Sequence, residues 1–206
     1  MIDPFVLLAY VPAALALNLT PGADMMFCLG QGLRAGPRAA VAASAGIAVG
    51  GMVHVLLAGL GLGAAVAALP WLFDAIRWVG VAYLLWLAWR AVRQRAAPPR
   101  AGPGAGAGRA FGTGLAVNLT NPKVILFVLA FIPQFVDPDG PILVQFLIFG
   151  SVLALGGFLI NAAVGLFAGG AGRRLTGSPA ARAWTGRISG TIFALLALRL
   201  ALMERA

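Results

Sequence analysis

Two short stretches carry most of the chemistry available to this sequence. Asn18-Leu19-Thr20-Pro21-Gly22, followed by Asp24, and Asn118-Leu119-Thr120-Asn121-Pro122-Lys123 each put a proline and several amides and hydroxyls inside an otherwise apolar run. Proline removes a backbone donor, and Gly22 accepts dihedrals that other residues resist. The residue before a proline is pushed out of the helical region. Each stretch therefore predicts a helix that opens and restarts, near Ala23 in one case and near Lys123 in the other. Free N–H groups and the positive ends of two half-helix dipoles would face the openings, where a carboxylate is the natural ligand. Asn18, Thr20, Asn118, Thr120 and Asn121 can partner the opened backbone or a ligand, and Asp24 and Lys123 add one charge of each sign.

The depth of these charges follows from helix geometry. The run from Phe5 to Asn18 spans roughly 20 Å at about 1.5 Å per residue, which would bury Asp24 well inside a bilayer. An ionisable group there costs at least a few kcal/mol and marks an ion or substrate path. The competing readings are plain proline kinks capped by Asn and Thr, and an Asp24–Lys123 pair that ties two halves together. A pair that opens on protonation would also be a coupling device, so these readings do not exclude transport.

Other candidates are thinner. His54 lies mid-helix in a glycine-rich segment, with Asn161 as its near-counterpart further along; a hydrogen-bonded core histidine, a proton relay and a cavity lining are the open readings. With no second His and a single Cys28, the chain offers no metal site, internal disulfide or redox pair. The spaced glycines Gly102, Gly104, Gly106 and Gly108 mimic a nucleotide loop but follow no strand. Ser and His lack the companions of a nucleophilic triad, and no paired carboxylates suggest hydrolysis, so no enzyme and no cofactor is expected.

The elements that must hold these groups are set by composition. Of 206 residues, 61% are hydrophobic and 10% charged, against about 25% charged in an average soluble domain. A soluble fold of this size could not hide so much apolar surface. Long unbroken apolar runs exclude a membrane barrel, whose strands alternate. At about 20 residues per crossing, the chain holds six transmembrane helices: Phe5 to Leu33, Ala39 to Leu69, Trp71 to Val92, Phe111 to Phe135, Pro141 to about Gly170, and Trp184 to Met203. The first and fourth carry the interruptions. Met1-Ile2-Asp3-Pro4 is acidic where a signal peptide should be basic, so the first helix is expected to stay.

An internal repeat organises the six. LALNLTPG (Leu15 to Gly22) matches LAVNLTNP (Leu115 to Pro122) at an offset of 100, and Gly50, Gly51, Gly59 and Gly63 match Gly156, Gly157, Gly165 and Gly169 at 106. Arg77 and Gly80 match Arg187 and Gly190 at 110. Three helices per copy force the second copy in upside down, the 3+3 inverted repeat of secondary transporters, whose substrate sites lie where interrupted helices meet. The expected units are 1–93, a basic Pro/Gly-rich cytoplasmic linker at 94–110, and 111–206. Gly59-x-x-x-Gly63 and Gly165-x-x-x-Gly169 read as close-packing signals within the fold or at a dimer interface.

The net charge of +9 is an orientation signal, since the arginines lie between apolar spans without interleaved aromatics, and nucleic acid is not an expected partner. Eleven of the fifteen basic residues fall on alternate connections: Arg34 and Arg38; Arg90, Arg93, Arg95, Arg100 and Arg109; Arg173, Arg174, Arg182 and Arg187. By the positive-inside rule both termini are expected outside.

NLTPGADMMF, the glycine-rich second helix, the basic linker and NPKVILFVLAFIPQFV together resemble the lysine exporter (LysE/RhtB) family of amino-acid exporters over essentially the whole chain. The resemblance implies a bacterial inner-membrane exporter with six helices, driven by proton motive force, with amino acid and protons as partners and a homodimer as one oligomeric form. The matching positions are Pro21, Gly22 and Asp24, then Asn121, Pro122 and Lys123; Ala23 departs from a second proline carried by many relatives. Asp24 as the lone expected intramembrane acid leans towards neutral substrates. The alternatives are an exporter of metal ions or other small solutes on a related fold, and a non-transporting membrane assembly subunit.

Overall fold

The computed structural model describes residues 3–68, 71–93, 106–168 and 179–202, all helix and connection, with no strand among them. The helices are α1 (Pro4–Leu19), α2 (Ala23–Ala35), α3 (Pro37–Ala68), α4 (Trp71–Arg93), α5 (Ala107–Leu119), α6 (Pro122–Ala130), α7 (Ile142–Leu166) and α8 (Pro179–Leu202), with a 3-10 turn at Ile132–Phe135 after α6. Most of the proposed linker lies outside the described residues, but its last four, 107–110, are the first turn of α5.

Local chemistry sets the boundaries. Asp3 caps α1 by accepting from Phe5 N at 2.8 Å, with Pro4 at the first helical position, where a missing N–H costs nothing. Gly36 ends α2 at φ +83°, a backbone region that a side chain resists, and Pro37 starts α3 directly after it. Gln145, inside α7, ties down the preceding loop: it accepts from Asp137 N at 2.8 Å and donates to Asp137 O at 2.9 Å.

Among the described residues, α3 and α7 are each long and apolar enough to cross a membrane alone. The pairs α1–α2 and α5–α6 pass the same test as bent units, with bends of 53° and 55°. Exposed Leu60 on α3, Trp78 and Trp86 on α4, and Leu155 and Leu159 on α7 give the helices an apolar outer surface, the surface a chain presents to lipid. In lipid the hydrophobic effect does not drive helices together, so small residues and polar crossings must do so.

The core is built that way. α3 and α7 cross each other; α5 packs along α3, α1 along α7, α2 against both, and α4 pairs with α8. A Cβ at Gly46 would overlap the Phe111 carbonyl oxygen, and one at Gly114 the Ala43 carbonyl oxygen, so α3 and α5 touch backbone to backbone. Ser44 Oγ donates to Phe158 O at 2.7 Å across the α3–α7 crossing. Gly59 packs on Phe146, and Gly165 packs on Ala40. Those two contacts correspond at the 106-residue offset of the repeat.

Candidate functional site

Both breaks form where the residue before a proline turns extended. Thr20 has ψ 115° and Asn121 has ψ 106°, as the proline ring demands. After the first break, α2 starts at Ala23 with Gly22 as a cap that offers no side-chain acceptor. After the second, Asn121 Oδ1 accepts from Lys123 N at 3.1 Å and closes part of the α6 N-terminus. The two half-helix starts are thus unequal: one is open, the other already capped.

The breaks are joined to each other. Asn118, near the end of α5, donates from Nδ2 to Asp24 Oδ2 in the first turn of α2 at 2.9 Å. Lys123, in the first turn of α6, donates from Nζ to Leu17 O at 2.6 Å, in the last turn of α1, and to Thr20 O at 2.9 Å, just past its end. A cation suits that negative helix end, and an anion such as Asp24 suits the positive end of α2. Lys123 passes beside Gly22, with Nζ 3.4 Å from where a Cβ would stand. Asn118 is 2% exposed and Asn121 5%. Asp24 Oδ1, Asn118 Oδ1 and Asn121 Nδ2 are buried without a hydrogen-bond partner. The vacant Oδ1 of the Asp24 carboxylate can accept from a donor-rich cationic group or take a proton.

The remaining expected residues divide between this cluster and its supports. Asn18 packs on Gly156 and Gly157 and donates from Nδ2 to Leu153 O at 3.0 Å. Asn118 packs likewise on Gly50, whose added Cβ would lie 2.9 Å from the Asn118 side chain. The sequence marked these glycines as matching positions of the repeat, and the structure makes them the sockets of the two asparagines. Thr20 Oγ1 is buried and donates to Ala16 O at 2.6 Å. Thr120 Oγ1 donates likewise to Ala116 O at 2.9 Å, but Thr120 is exposed and so stays outside the cluster, and Pro122 is exposed.

His54 Nε2 lies 3.3 Å from Asn118 O. It stands at the rim of a cavity of about 420 Å³ between α3 and α6, walled by Leu57, Ala58 and Gly61 on one side and Ile125, Val128 and Leu129 on the other. Asn161 is buried in α7 and does not line this cavity. The aliphatic walls were missed from sequence, although Leu57, Ala58 and Gly61 follow His54 at helical spacing. Among the described residues, no three His, Cys, Asp or Glu side chains cluster as metal ligands.

The family model for LysE type translocators matches residues 15–204, covering both breaks and everything between them. A homoserine/homoserine lactone efflux protein of Salmonella typhimurium is 38% identical over 145 residues, 69% of this chain and 70% of the relative. A leucine efflux protein of an Enterobacter species is 34% identical over 131 residues, 62% of each chain. An uncharacterized membrane protein of Vibrio cholerae is 37% identical over 150 residues, 72% of this chain and 73% of the relative. No solved structure matches the chain at a significant level. With the family model spanning nearly its full length, this chain belongs to the LysE type translocators and is a transporter, not an enzyme.

Proposed function

We propose that the chain exports small neutral amino acids across the bacterial inner membrane, coupled to protons. The observation that carries this reading is the joining of the two breaks, Asn118 onto Asp24 and Lys123 onto the carbonyls of Leu17 and Thr20. The substrate carboxylate enters at the open N-terminus of α2, where Gly22 leaves the backbone accessible and Lys123 lies alongside. The α-ammonium takes the vacant oxygen Asp24 Oδ1. Asp24 exchanges a proton as the carrier alternates, because a neutral Asp24 loosens the Asn118 contact that holds the breaks together. Relatives named for efflux of homoserine and leucine support a substrate with an uncharged side chain.

The architecture proposed with it is six crossings, formed by α1–α2, α3, α4, α5–α6, α7 and α8. Residues 1–93 and 111–206 are the two inverted halves, joined by the cytoplasmic linker 94–110. Matching bends of 53° and 55°, and the paired contacts Gly59–Phe146 and Gly165–Ala40, support it. Arg34, Arg38 and Arg109 lie at one end of the α3–α5 packing, which the positive-inside rule makes cytoplasmic and which leaves both termini outside. The experiment is efflux from liposomes that contain only the purified protein and are loaded with labelled neutral amino acids. Efflux accelerated by an imposed proton gradient is expected; no efflux of any amino acid would sink the exporter reading and favour an assembly subunit.

A further inference from the structure

We infer that the cleft between α3 and α6 is the side-chain pocket of the transported molecule, shaped for an uncharged side chain with His54 as its one polar wall. The inference rests on the exporter reading above and adds where the rest of the substrate goes. His54 meets Asn118 O at 3.3 Å, and the same Asn118 holds Asp24 at 2.9 Å. The cavity therefore begins one residue away from the groups proposed to hold the ammonium. Its volume of about 420 Å³ falls within the roughly 300–1,000 Å³ of small-molecule sites.

The cleft lies between the two halves, and the repeat-related positions between α2 and α7 are lined differently. At the repeat offset of 100, Ile125, Val128 and Leu129 of α6 correspond to Met25, Cys28 and Leu29 of α2, all three of which are buried. At 106, His54 and Gly61 of α3 correspond to Ile160 and Phe167. α2 packs against α7 more extensively than α6 packs against α3. Nor is the cavity a lipid-facing groove throughout. Ala58 and Val128 at its floor are buried at 4% and 0% exposure, and a histidine set towards hydrocarbon would be costly.

Its chemistry selects by charge first. Aliphatic walls give a cationic or anionic side chain no partner, and an unpaired charge out of water costs far more than a methylene gains. A hydroxyl is a different case. The Asn118 carbonyl can only accept, so Nε2 carries the proton in that bond, and Nδ1 of the neutral ring is left as an acceptor. A side-chain hydroxyl can use it, whereas the equal-sized methyl cannot.

Efflux ratios from liposomes of the purified full chain test this. Gly61 lines the cavity, and a Cβ added there meets nothing within 4 Å, so Gly61→Leu brings a side chain into the space with no clash at its Cβ. Leu129→Trp fills it from α6 and guards against a folding defect in the first variant. Each is expected to lower the leucine-to-alanine efflux ratio at least tenfold. His54→Leu is expected to lower the threonine-to-valine ratio at least fivefold, with His54→Gln restoring most of it. Wild-type efflux together with unchanged ratios in these variants overturns the pocket while leaving the exporter reading intact. Absence of wild-type efflux for every amino acid overturns both.

Discussion

The two ends of the α3–α7 crossing are packed with different materials. At one end Tyr10, Phe127, Phe131, Phe135 and Phe149 form a ring cluster with centroids 4.6–6.5 Å apart. At the other, Cys28, Ala39, Ala43, Ile47 and Ala110 form a cluster of mostly small side chains, beside glycines whose missing Cβ atoms let backbones touch. Repeat offsets put Phe146 and Phe149 opposite Ala40 and Ala43, and Tyr10 opposite Ala110. One backbone plan thus carries two packings. Rings fill a wider gap and can be exchanged for other side chains, whereas backbone contacts part only when whole helices move. The cavity beside His54 lies at the end where α6 bears its rings, because helices spaced by large side chains leave a cleft between them. That is what the difference teaches: the ends close by different means, and the ring end is the one that carries the cavity beside His54.

The strongest way to break the comparison is at the backbone contacts. Gly46→Val drives a branched side chain into the Phe111 carbonyl. Overpacking costs about 1–3 kcal/mol when side chains can yield and more when backbone must shift, so loss of at least ~3 kcal/mol, or of folded protein altogether, is expected in detergent unfolding. The ring end should be more tolerant. Phe131→Ala is expected to cost about 2–3 kcal/mol, below the roughly 3–5 kcal/mol of a water-soluble core, since the helix surfaces separate into lipid rather than water.

The asparagines sharpen the comparison between halves. Asn18→Ala removes one bond to Leu153 O and is expected to cost about 0.6 kcal/mol, the average for such bonds in membranes. Asn118→Ala frees Asp24 and is expected to cut efflux at least tenfold, more than Asn18→Ala does; equal losses would show that the Asp24 contact adds nothing. The one gain is expected at Tyr10, whose hydroxyl is buried without a partner. Removing such a group relieves its desolvation cost, so Tyr10→Phe should raise Tm, by up to ~1 kcal/mol of stability.

Much of this was legible in the chain because it is local. The order Thr-Pro and Asn-Pro fixes where backbone must leave the helix, and the expected restart at Ala23 is where α2 begins. Thr120 shows the limit of reading by alignment. The second motif has one more residue between its threonine and its proline, so the extended residue is Asn121 while Thr120 stays near helical at ψ 4°. Both hydroxyls donate to the carbonyl four residues back, but Thr20 is buried and Thr120 is exposed. The reach of Asn118 to Asp24, 94 residues apart, depends on how the bent pairs pack and leaves no periodic trace. Lys123 reads as a companion charge to Asp24, and its work on the α1 carbonyls emerges only once α1 and α6 are side by side. Residues 94–105 and 169–178, which hold Arg95, Arg100, Arg173 and Arg174, lie outside the described residues, so the orientation still rests on charge arithmetic.

The most direct test of the joined breaks is Asp24→Asn in liposomes of the purified protein, with efflux followed with and without an imposed proton gradient. Asparagine keeps the shape and an oxygen for the Asn118 amide but cannot carry a negative charge. The account predicts that acceleration by the gradient disappears. Efflux that still accelerates with the gradient as it does for the wild type would contradict it.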